Sequence, residues 1–385
     1  MKRLIIALCG LALIACCAKN PSSGTDNPSA VTYDVSTPAF AKGADVSWLS
    51  EMEAGGKTFK KKDGTTADCF EVLKDCGVNA IRLRVWVNPY KGWSGKDDML
   101  KLAVRAAKAG MALMVDFHYS DFFCDPSRQG IPKDWQADAA NINKMAAHVK
   151  EHTIDVLQAL KSAGVTPAWI QIGNETKNGM LWPIGKLWKT GSETVGGKDA
   201  FNDLYKSGYN AAKAVFPTAL VGPHLNNAYD DNDWWFKDRK DAGCKFDMIC
   251  LSHYPQEQNK MTPAECSAAA ISRVKSLNNT YKVPVIISEV GVKIATDSSP
   301  YAGETEAAAV LTEFMTAVKA LPASTCTGVF YWEPEVYDWW KPAVYGDVNA
   351  MYQYTGESKT WNNAYDMGAF LAGGKPSKIM DALCK

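Results

Sequence analysis

The chain has 385 residues, of which 46% are hydrophobic and 22% charged, so it can bury a large core and is not a disordered polypeptide. Its 42 basic residues balance its 42 acidic residues, which argues against a nucleic-acid-binding protein, because such a protein needs a basic face. The 13 tryptophans, 15 tyrosines and 13 phenylalanines suit core packing and also stacking on flat ligand faces such as sugar rings.

The first residues are typical of a targeting segment. Lys2 and Arg3 precede an apolar run over residues 4–15, which is too short to span a bilayer as a mature helix. The run ends in Leu-Ile-Ala before Cys16 and resembles a bacterial lipobox, in which the signal is cut before a cysteine that is then acylated. We therefore predict a lipoprotein signal peptide over residues 1–15 and lipidation of Cys16, with a plain secretory signal as the alternative. The protein would be exported and membrane-anchored, in the periplasm or at the cell surface.

Residues 16–38 are rich in Ser, Pro, Asn and Gly and lack apolar periodicity, which predicts a flexible tether. Residues 39–385 show no second linker and are predicted to form one domain, which we expect to be monomeric. Disulfides are open, because removal of Cys9 and lipidation of Cys16 leave nine of the 11 cysteines, an odd number. Cys69 and Cys76 would lie on one helix about 10 Å apart, too far to bridge.

Short apolar runs alternate with longer amphipathic stretches along the domain. The runs predict strands over residues 42–46, 80–85, 112–117, 168–172, 220–222, 247–251, 284–288 and 329–332. Helical periodicity separates them, over residues 99–109, 141–163, 199–215, 263–277 and 304–321. Eight strands with intervening helices predict a single (β/α)8 barrel, a TIM barrel of the α/β class. A doubly wound open sheet is the alternative, but a Gly-rich phosphate turn is missing.

Two predicted strands end in carboxyl groups. Asn174 and Glu175 follow the fourth strand, and Glu289 follows the seventh. Because these strands lie across an eight-stranded barrel, both glutamates can reach into one cleft. Glycoside hydrolysis needs such a pair of carboxyl groups, one on each side of the bond to be cleaved. The alternative is that each glutamate caps the helix after its strand.

Several segments together resemble glycoside hydrolase family 53, the endo-β-1,4-galactanases, over about residues 40 to 385. The matching residues lie in segments 43–47, 79–86 and 116–121, at Asp125, Pro126, Gln129, Pro132 and Trp135, and in segments 172–175 and 179–183. Phe123 and Cys124 depart from the family pattern, because many members carry Trp and Ala there. The loop from residue 120 to residue 135 and the Leu-Trp-Pro of 181–183 are the most specific parts of the match.

The resemblance implies a retaining hydrolase in which Glu175 is the general acid/base and Glu289 is the nucleophile. Retention would require carboxyl groups about 5–5.5 Å apart. Asn174 would hydrogen-bond the sugar 2-hydroxyl. The implied substrate is pectic galactan or type I arabinogalactan, cleaved to galacto-oligosaccharides. A related barrel glycosidase acting on mannan or cellulose, or a glycan-binding lipoprotein without catalysis, are the alternatives.

Other residues would support this chemistry. Arg82 and Arg84 share one side of their strand by alternation, and Arg82 is our first choice for the cation beside Glu289. His253 and Tyr254 resemble the pair that contacts the nucleophile in related enzymes. Trp332 would form the floor under the sugar at the cleavage point. The remaining candidates for lining the cleft are Trp86, His118, Asp121, Trp135 and Trp182.

Metal sites receive little support from the sequence, and no cofactor is predicted. His148 and His152 fit an H-x-x-E-H zinc pattern, but their helix should lie outside the barrel, so packed histidines are expected. Some members of the family hold calcium in a loop after the seventh strand, where residues 292–300 here carry too few acids. Calcium near Asp338 or Asp347 stays open. The predicted partner is the polysaccharide, not nucleic acid.

Overall fold

The protein forms a closed barrel of parallel strands surrounded by helices. The computed structural model describes residues 32–255, 261–293, 303–361 and 366–385. The barrel strands are β1 (Ala41–Asp45), β2 (Ala80–Val85), β3 (Ala112–Phe117), β4 (Trp169–Ile172), β5 (Leu220–Gly222, continued by His224–Leu225), β6 (Ile249–His253), β7 (Val285–Val290) and β8 (Cys326–Trp332). Two small hairpins, Phe59–Lys60 with Thr66–Ala67 and Phe370–Leu371 with Lys375–Pro376, lie outside the barrel.

The sheet closes through the interruption of β5 at Pro223. The first part of β5 pairs with β4 and the second part with β6, while β1 pairs with both β2 and β8. Proline has no N–H to donate, but the carbonyl of Pro223 accepts from the backbone N–H of Cys250 at 3.0 Å. The predicted (β/α)8 barrel is therefore confirmed, and the alternative of an open sheet is wrong.

Helices cover the outside of the barrel and decorate its ends. They are α1 (Leu49–Ala54), α2 (Cys69–Cys76), α3 (Lys96–Lys108), α4 (Ile142–Ser162), α5 (Lys198–Val215), α6 (Asp233–Asp241), α7 (Pro263–Tyr281), α8 (Glu304–Lys319), α9 (Val348–Thr355) and α10 (Lys378–Cys384). The side chain of Asn141 caps α4 by accepting from the N–H of Lys144 at 3.1 Å. The apolar stripe read from the sequence is buried in α4 at Met145, Val149, Val156 and Leu160.

The interior of the barrel changes character along its axis. Near the amino ends of the strands it is apolar, with a cluster that includes Met114, Trp169, Cys250 and Phe330. Phe330 packs so closely on Gly43 that a Cβ there would lie 2.1 Å from the phenyl ring, so only glycine fits. Two residues further along each strand, alternation brings polar side chains inward. Inside the barrel, buried charges such as Asp45, Arg82 and Asp116 therefore lie toward the carboxyl ends of the strands.

Strand β7 is irregular just before Glu289. Its pairing with β6 shifts register between Ile287 and Glu289. Regular alternation would send the side chains of Ser288 and Glu289 to opposite faces of the sheet. In the structure Ser288 is bonded inside the barrel to Gln171, and Glu289 also reaches an interior partner. The bulge therefore places two consecutive polar side chains in one interior.

Candidate active site

Arg82 is the centre of a polar network at the carboxyl ends of the strands. It projects from β2 into the barrel and is 1% exposed. Its nitrogen atoms bond acceptors from several strands and loops, namely Asp45 at 2.7 Å, Asp116 at 2.8 Å, Gln171 at 2.6 Å, Asn174 at 2.9 Å and Glu289 at 3.0 Å. A planar guanidinium with several fixed donors can satisfy acceptors in different directions at once. Arg82 therefore orients Glu289 and the neighbours of Glu175 together.

The two candidate catalytic carboxyl groups face each other across a short gap. An oxygen of Glu175 and an oxygen of Glu289 lie within 4.8 Å of each other. The hydroxyl oxygen of Ser252 lies 2.7 Å from Oε1 of Glu175 and 3.4 Å from Oε2 of Glu289. Retaining glycosidases have carboxyl groups about 5–5.5 Å apart, whereas inverting enzymes leave about 6.5–9.5 Å for a water molecule. The spacing observed here fits the retaining geometry.

The surroundings of the two carboxyl groups separate their roles. Burial, and then the nearby carboxylate of Glu289, raise the pKa of Glu175 to about 8. Burial also raises the pKa of Glu289 above its ordinary value, but the Arg82 guanidinium and the Tyr254 hydroxyl, which donates to Oε2 at 2.7 Å, oppose that rise. Because no cation among the described residues bonds Glu175 as Arg82 bonds Glu289, the proton of the pair resides on Glu175. This division suits a general acid beside an ionised nucleophile.

The turn after β4 is built to present Glu175. Gly173 has φ of 83°, and a Cβ there would lie 2.4 Å from the side chain of Thr176, so this position requires glycine. Glu175 itself lies in the left-handed region with φ of 47°, a conformation that a non-glycine residue adopts at some cost. The side chain of Gln129 donates to the carbonyl of Asn174 at 2.8 Å and holds the turn in place.

Asn174 is fixed by three neighbours. Its amide oxygen bonds Arg82 at 2.9 Å and the ring of His224 at 2.8 Å, and its amide nitrogen donates to the carbonyl of Cys124 at 2.7 Å. One of the two amide hydrogens is thereby used, and the second is available to a ligand. This geometry is compatible with the expected contact to a sugar hydroxyl.

Glu175, His224 and Glu289 also meet the distance criterion for a metal cluster in the described part of the chain. Both ring nitrogens of His224 are already bonded, to Asn174 and to Ser252, at 2.8 Å each. Glu289 is bonded through both oxygens, and the fixed positive charge of Arg82 lies 3.0 Å away. A cation would have to displace these bonds and face that charge, so the residues fit a hydrogen-bonded acid pair and not a metal site.

Two predicted aromatic residues lie near the cleft. Trp332 ends β8, and its ring meets those of Tyr254 and Phe123 with centroids 6.4 Å away in each case. Trp182 is half-buried and lines a cavity of about 360 Å³ together with Phe123, Arg128 and Tyr354. Trp332 therefore contacts Tyr254, which in turn bonds Glu289. Trp182 lines the cavity next to Phe123.

Other predicted residues serve the framework. Arg84 bonds Glu333 at 2.6 Å, and its guanidinium lies over the rings of Trp48, Trp86 and Phe123, so Trp86 is packed under a cation and is almost fully buried. His118 contacts Asp116 at 2.9 Å. The carboxylate of Asp121 accepts from the backbone of Asn88 and Lys133 at 2.8 Å each. These side chains hold neighbouring loops together.

Two predicted site residues, His253 and Trp135, lie away from the carboxyl pair, and their predicted places in the site are wrong. His253 bonds Ser267 of α7 at 3.1 Å and packs on Phe314 at 4.4 Å, because it points outward where Ser252 and Tyr254 point inward. Trp135 stacks on His148 at 5.2 Å and covers the start of α4. Of the two neighbours His253 and Tyr254, only Tyr254 bonds Glu289.

The residues considered for metals have structural partners. His148 bonds Asp138 at 2.9 Å, and burial among aromatic rings lowers the pKa of His152 to about 4. Asp347 caps α9 by accepting from the backbone N–H groups of Asn349 and Ala350. Residues 294–300 of the loop considered for calcium lie outside the described residues, as does Cys16.

Several polar residues of the site were not predicted from the sequence. Asp45, Asp116, Gln171 and Ser252 are buried polar residues within strands, and each bonds a partner inside the barrel. That pattern was a usable signal, because a buried polar side chain inside a strand needs a partner. His224 begins the second part of β5, directly after Pro223, and gave no comparable signal.

We expect Ser252→Ala to move the alkaline limb of the pH profile upward. The Ser252 hydroxyl lowers the pKa of Glu175, so its loss keeps Glu175 protonated to higher pH and extends the range in which the acid is competent. Losing one hydrogen bond to a charged acceptor is worth about 1.5 kcal/mol, or about one pH unit. The measurement is kcat/KM against pH. The control is Ser288→Ala, which removes a buried hydroxyl that bonds Gln171 and should leave the alkaline limb of the pH profile in place. A downward shift of that limb in Ser252→Ala would contradict the assignment of Glu175 as the acid.

The chain is similar to known glycoside hydrolases. The model of glycosyl hydrolase family 53 matches residues 41–372. A probable arabinogalactan endo-β-1,4-galactanase A of Aspergillus fumigatus is 31% identical, over 76% of this chain and 83% of the relative. An arabinogalactan endo-β-1,4-galactanase of Cellvibrio japonicus is 32% identical, over 77% of this chain and 80% of the relative.

Solved structures show the same fold. A structure of fungal β-1,4-galactanases is 26% identical, with a TM-score of 0.72, over 89% of this chain and 98% of that chain. A family 53 catalytic domain of Ignisphaera aggregans has a TM-score of 0.74 at 24% identity, over 92% of this chain and 98% of that chain. Because the family model covers most of the sequence, the chain belongs to glycosyl hydrolase family 53.

Proposed function

We propose that the protein is an endo-β-1,4-galactanase that cleaves its substrate with retention of anomeric configuration. The observation that carries the proposal is the buried pair of Glu175 and Glu289, with oxygens within 4.8 Å of each other and only one of them bonded to a cation. Glu289 attacks the anomeric carbon while protonated Glu175 gives its proton to the leaving oxygen, and a glycosyl-enzyme forms. Glu175 then takes a proton from a water molecule whose oxygen attacks the anomeric carbon, and the bond between that carbon and Glu289 breaks. The sugar leaves, with Glu289 again ionised and Glu175 again protonated.

The substrate we propose is pectic galactan or type I arabinogalactan, cleaved to galacto-oligosaccharides. One support is that relatives are named arabinogalactan endo-β-1,4-galactanases. Another is that galactan is uncharged, which suits a protein with equal numbers of basic and acidic residues. Mannan and cellulose differ from galactan by the orientation of single hydroxyl groups, so a related barrel could act on them. A protein that binds glycans without cleaving them is disfavoured because both carboxyl groups are present and oriented.

The direct test is incubation with linear β-1,4-galactan, mannan and cellulose, followed by sizing of the products. We expect short galacto-oligosaccharides from galactan and no release from the other two polymers, because contacts within the site are made to one arrangement of hydroxyl groups. Release of galactose alone would contradict endo action, and cleavage of mannan or cellulose in place of galactan would support the alternative. A Glu289→Gln preparation controls for contaminating hydrolases.

We also propose that the protein is an exported bacterial lipoprotein, anchored to a membrane through Cys16 and monomeric as a domain. The support is the sequence of residues 1–16, in which a short apolar run ends in a lipobox-like tetrapeptide. Among the helices of the described residues, none has both the length and the apolarity to cross a bilayer. Labelled palmitate should enter the protein in cells and should be lost in Cys16→Ser, and an unlabelled wild-type protein would contradict the anchor.

A further inference from the structure

Two tryptophans form an exposed pair on the surface, which we call the Trp188–Trp234 platform. Trp188 is 46% exposed and Trp234 is 37% exposed, with ring centroids 5.9 Å apart and ring planes at 40°. Large exposed apolar side chains are costly unless they bind something, because each keeps apolar surface in water. The pair is therefore a candidate for an interaction surface.

The core does not require either ring. On α6, the inward side chains are Trp235, Phe236 and Arg239, all buried, and Trp234 shares the outer face with Lys237. Trp188 similarly follows the buried Leu187 and precedes the exposed Lys189. Each exposed indole is thus next in sequence to a buried side chain, Leu187 or Trp235, that packs in the core.

The platform spans the loop that carries the acid/base Glu175 and the next loop along the barrel. Trp188 lies in the loop after β4, where the N–H of Leu187 donates to the carbonyl of Asn178, three residues after Glu175. Trp234 lies at the start of α6, after the loop that follows β5. An ion pair of 2.7 Å between Lys177 and Asp230 joins the two loops. The two indoles therefore stand at the carboxyl ends of neighbouring strands, on the side of the cleft where the leaving part of the substrate is protonated.

The charges around the platform are balanced, because Lys189 and Asp233, the sequence neighbours of the two rings, carry opposite signs. Lys177 bonds Asp230, and Lys198 bonds Asp238 while its ammonium group lies 5.0 Å over the ring of Trp188. Such a neighbourhood has little net field to attract an anionic polymer or a charged lipid surface. Indole faces that are tilted toward each other, without net charge around them, suit the flat faces of a neutral sugar chain.

We propose that the Trp188–Trp234 platform binds the β-1,4-galactan chain beyond the cleavage site, on its leaving-group side. The proposal rests on the galactanase activity proposed above. A long polymer can occupy the cleft and the platform together, whereas a short oligosaccharide fills only the cleft. The platform therefore acts on affinity for polymer and not on the chemistry of bond cleavage.

The test compares wild type with Trp188→Ala, Trp234→Ala and the double variant, on long galactan and on galactotetraose. Each single variant should raise the apparent KM for the polymer about 3- to 10-fold with kcat unchanged, because one stacking contact is lost. Kinetics on galactotetraose should not change. In the inactive Glu289→Gln background, the Kd for long galactan should rise by the same factor. Leu371→Ala, which truncates an exposed apolar side chain on a hairpin outside the barrel, is the matched control and should behave as wild type.

The outcomes separate this proposal from the proposed function. If wild type cleaves galactan and the variants have the same KM and kcat as wild type on both substrates, the proposed role of the platform is wrong and the proposed galactanase activity is unaffected. If wild type does not cleave galactan at all, the proposed function fails first. Reduced self-association by light scattering, or reduced binding to vesicles of neutral and anionic lipid, with unchanged affinity for galactan, would overturn the sugar ligand in favour of a second copy or a membrane.

Discussion

Glu289→Gln is expected to lower kcat on β-1,4-galactan by at least about 10⁴-fold while leaving galactan binding nearly intact. The amide has nearly the shape of the carboxylate, so Tyr254 keeps an acceptor, but an amide cannot attack the anomeric carbon to form the glycosyl-enzyme. Arg82 stays paired with Asp45 and Asp116, so the fold should persist. Initial rates on galactan, with binding by calorimetry and folding by circular dichroism, measure the effect.

A matched control and a rescue experiment sharpen this prediction. Glu71→Gln makes the same change on the exposed side of α2 and should retain full activity. With an activated aryl β-galactoside, azide should restore turnover to Glu289→Gly and give the α-azide, whereas azide with Glu175→Gly should give the β-azide. Opposite anomers would follow from the two roles, because the first variant lacks the nucleophile and the second lacks the base. Wild-type turnover in Glu289→Gln would refute the assignment.

Arg82→Met is expected to have the largest effect on stability. Arg82 is paired with Asp45, Asp116 and Glu289 inside the barrel, and its removal leaves three carboxyl groups buried without their cation. Breaking a buried ion pair by removing one partner costs about 3–5 kcal/mol of unfolding free energy. Equilibrium unfolding in urea at neutral pH measures it. At acidic pH the difference in unfolding free energy between wild type and Arg82→Met should become smaller, because protonated carboxyl groups carry no charge for the guanidinium to compensate.

The surface offers a control with the same bonding pattern. Arg105 bonds Glu53 and Asp68 at 2.7 Å each, but all three side chains are partly exposed. Arg105→Met should cost only about 0–1 kcal/mol, because water already screens these charges. Equal losses in Arg82→Met and Arg105→Met would show that the buried network is not the source of the stability. Arg82→Lys should fall between wild type and Arg82→Met, since an ammonium group keeps the charge but cannot reach every acceptor.

Local sequence patterns predicted most of the framework. Strands β2 and β3 have the predicted bounds, and α4 begins after the cap at Asn141, because apolar runs and helix caps act over a few residues. Strand β6 begins two residues later than predicted and extends through His253. That shift puts Ser252 inside the strand and turns it toward the carboxyl pair, which the predicted bounds did not reveal.

The direction of a side chain at a strand end was harder to predict. His253 and Tyr254 are neighbours in the sequence, but only Tyr254 faces the interior, since successive residues point to opposite sides. Glu289 reaches the interior next to Ser288 because β7 is bulged, and Trp135 covers α4 because the long loop after β3 folds back on it. These outcomes depend on pairing and loop packing between distant segments.

The sequence by itself determined the barrel, its glutamates at the ends of the fourth and seventh strands, and the resemblance to family 53, because each rests on residues close together in the chain. The neutral charge of 42 basic against 42 acidic residues was likewise fixed by composition. Only the tertiary structure decided the short gap between Glu175 and Glu289 and the five acceptors around Arg82. It also decided that Trp188 and Trp234 stand together. Positions more than a hundred residues apart, such as 175 and 289, acquire a distance only when the sheet closes, and burial then sets which carboxyl group keeps its proton.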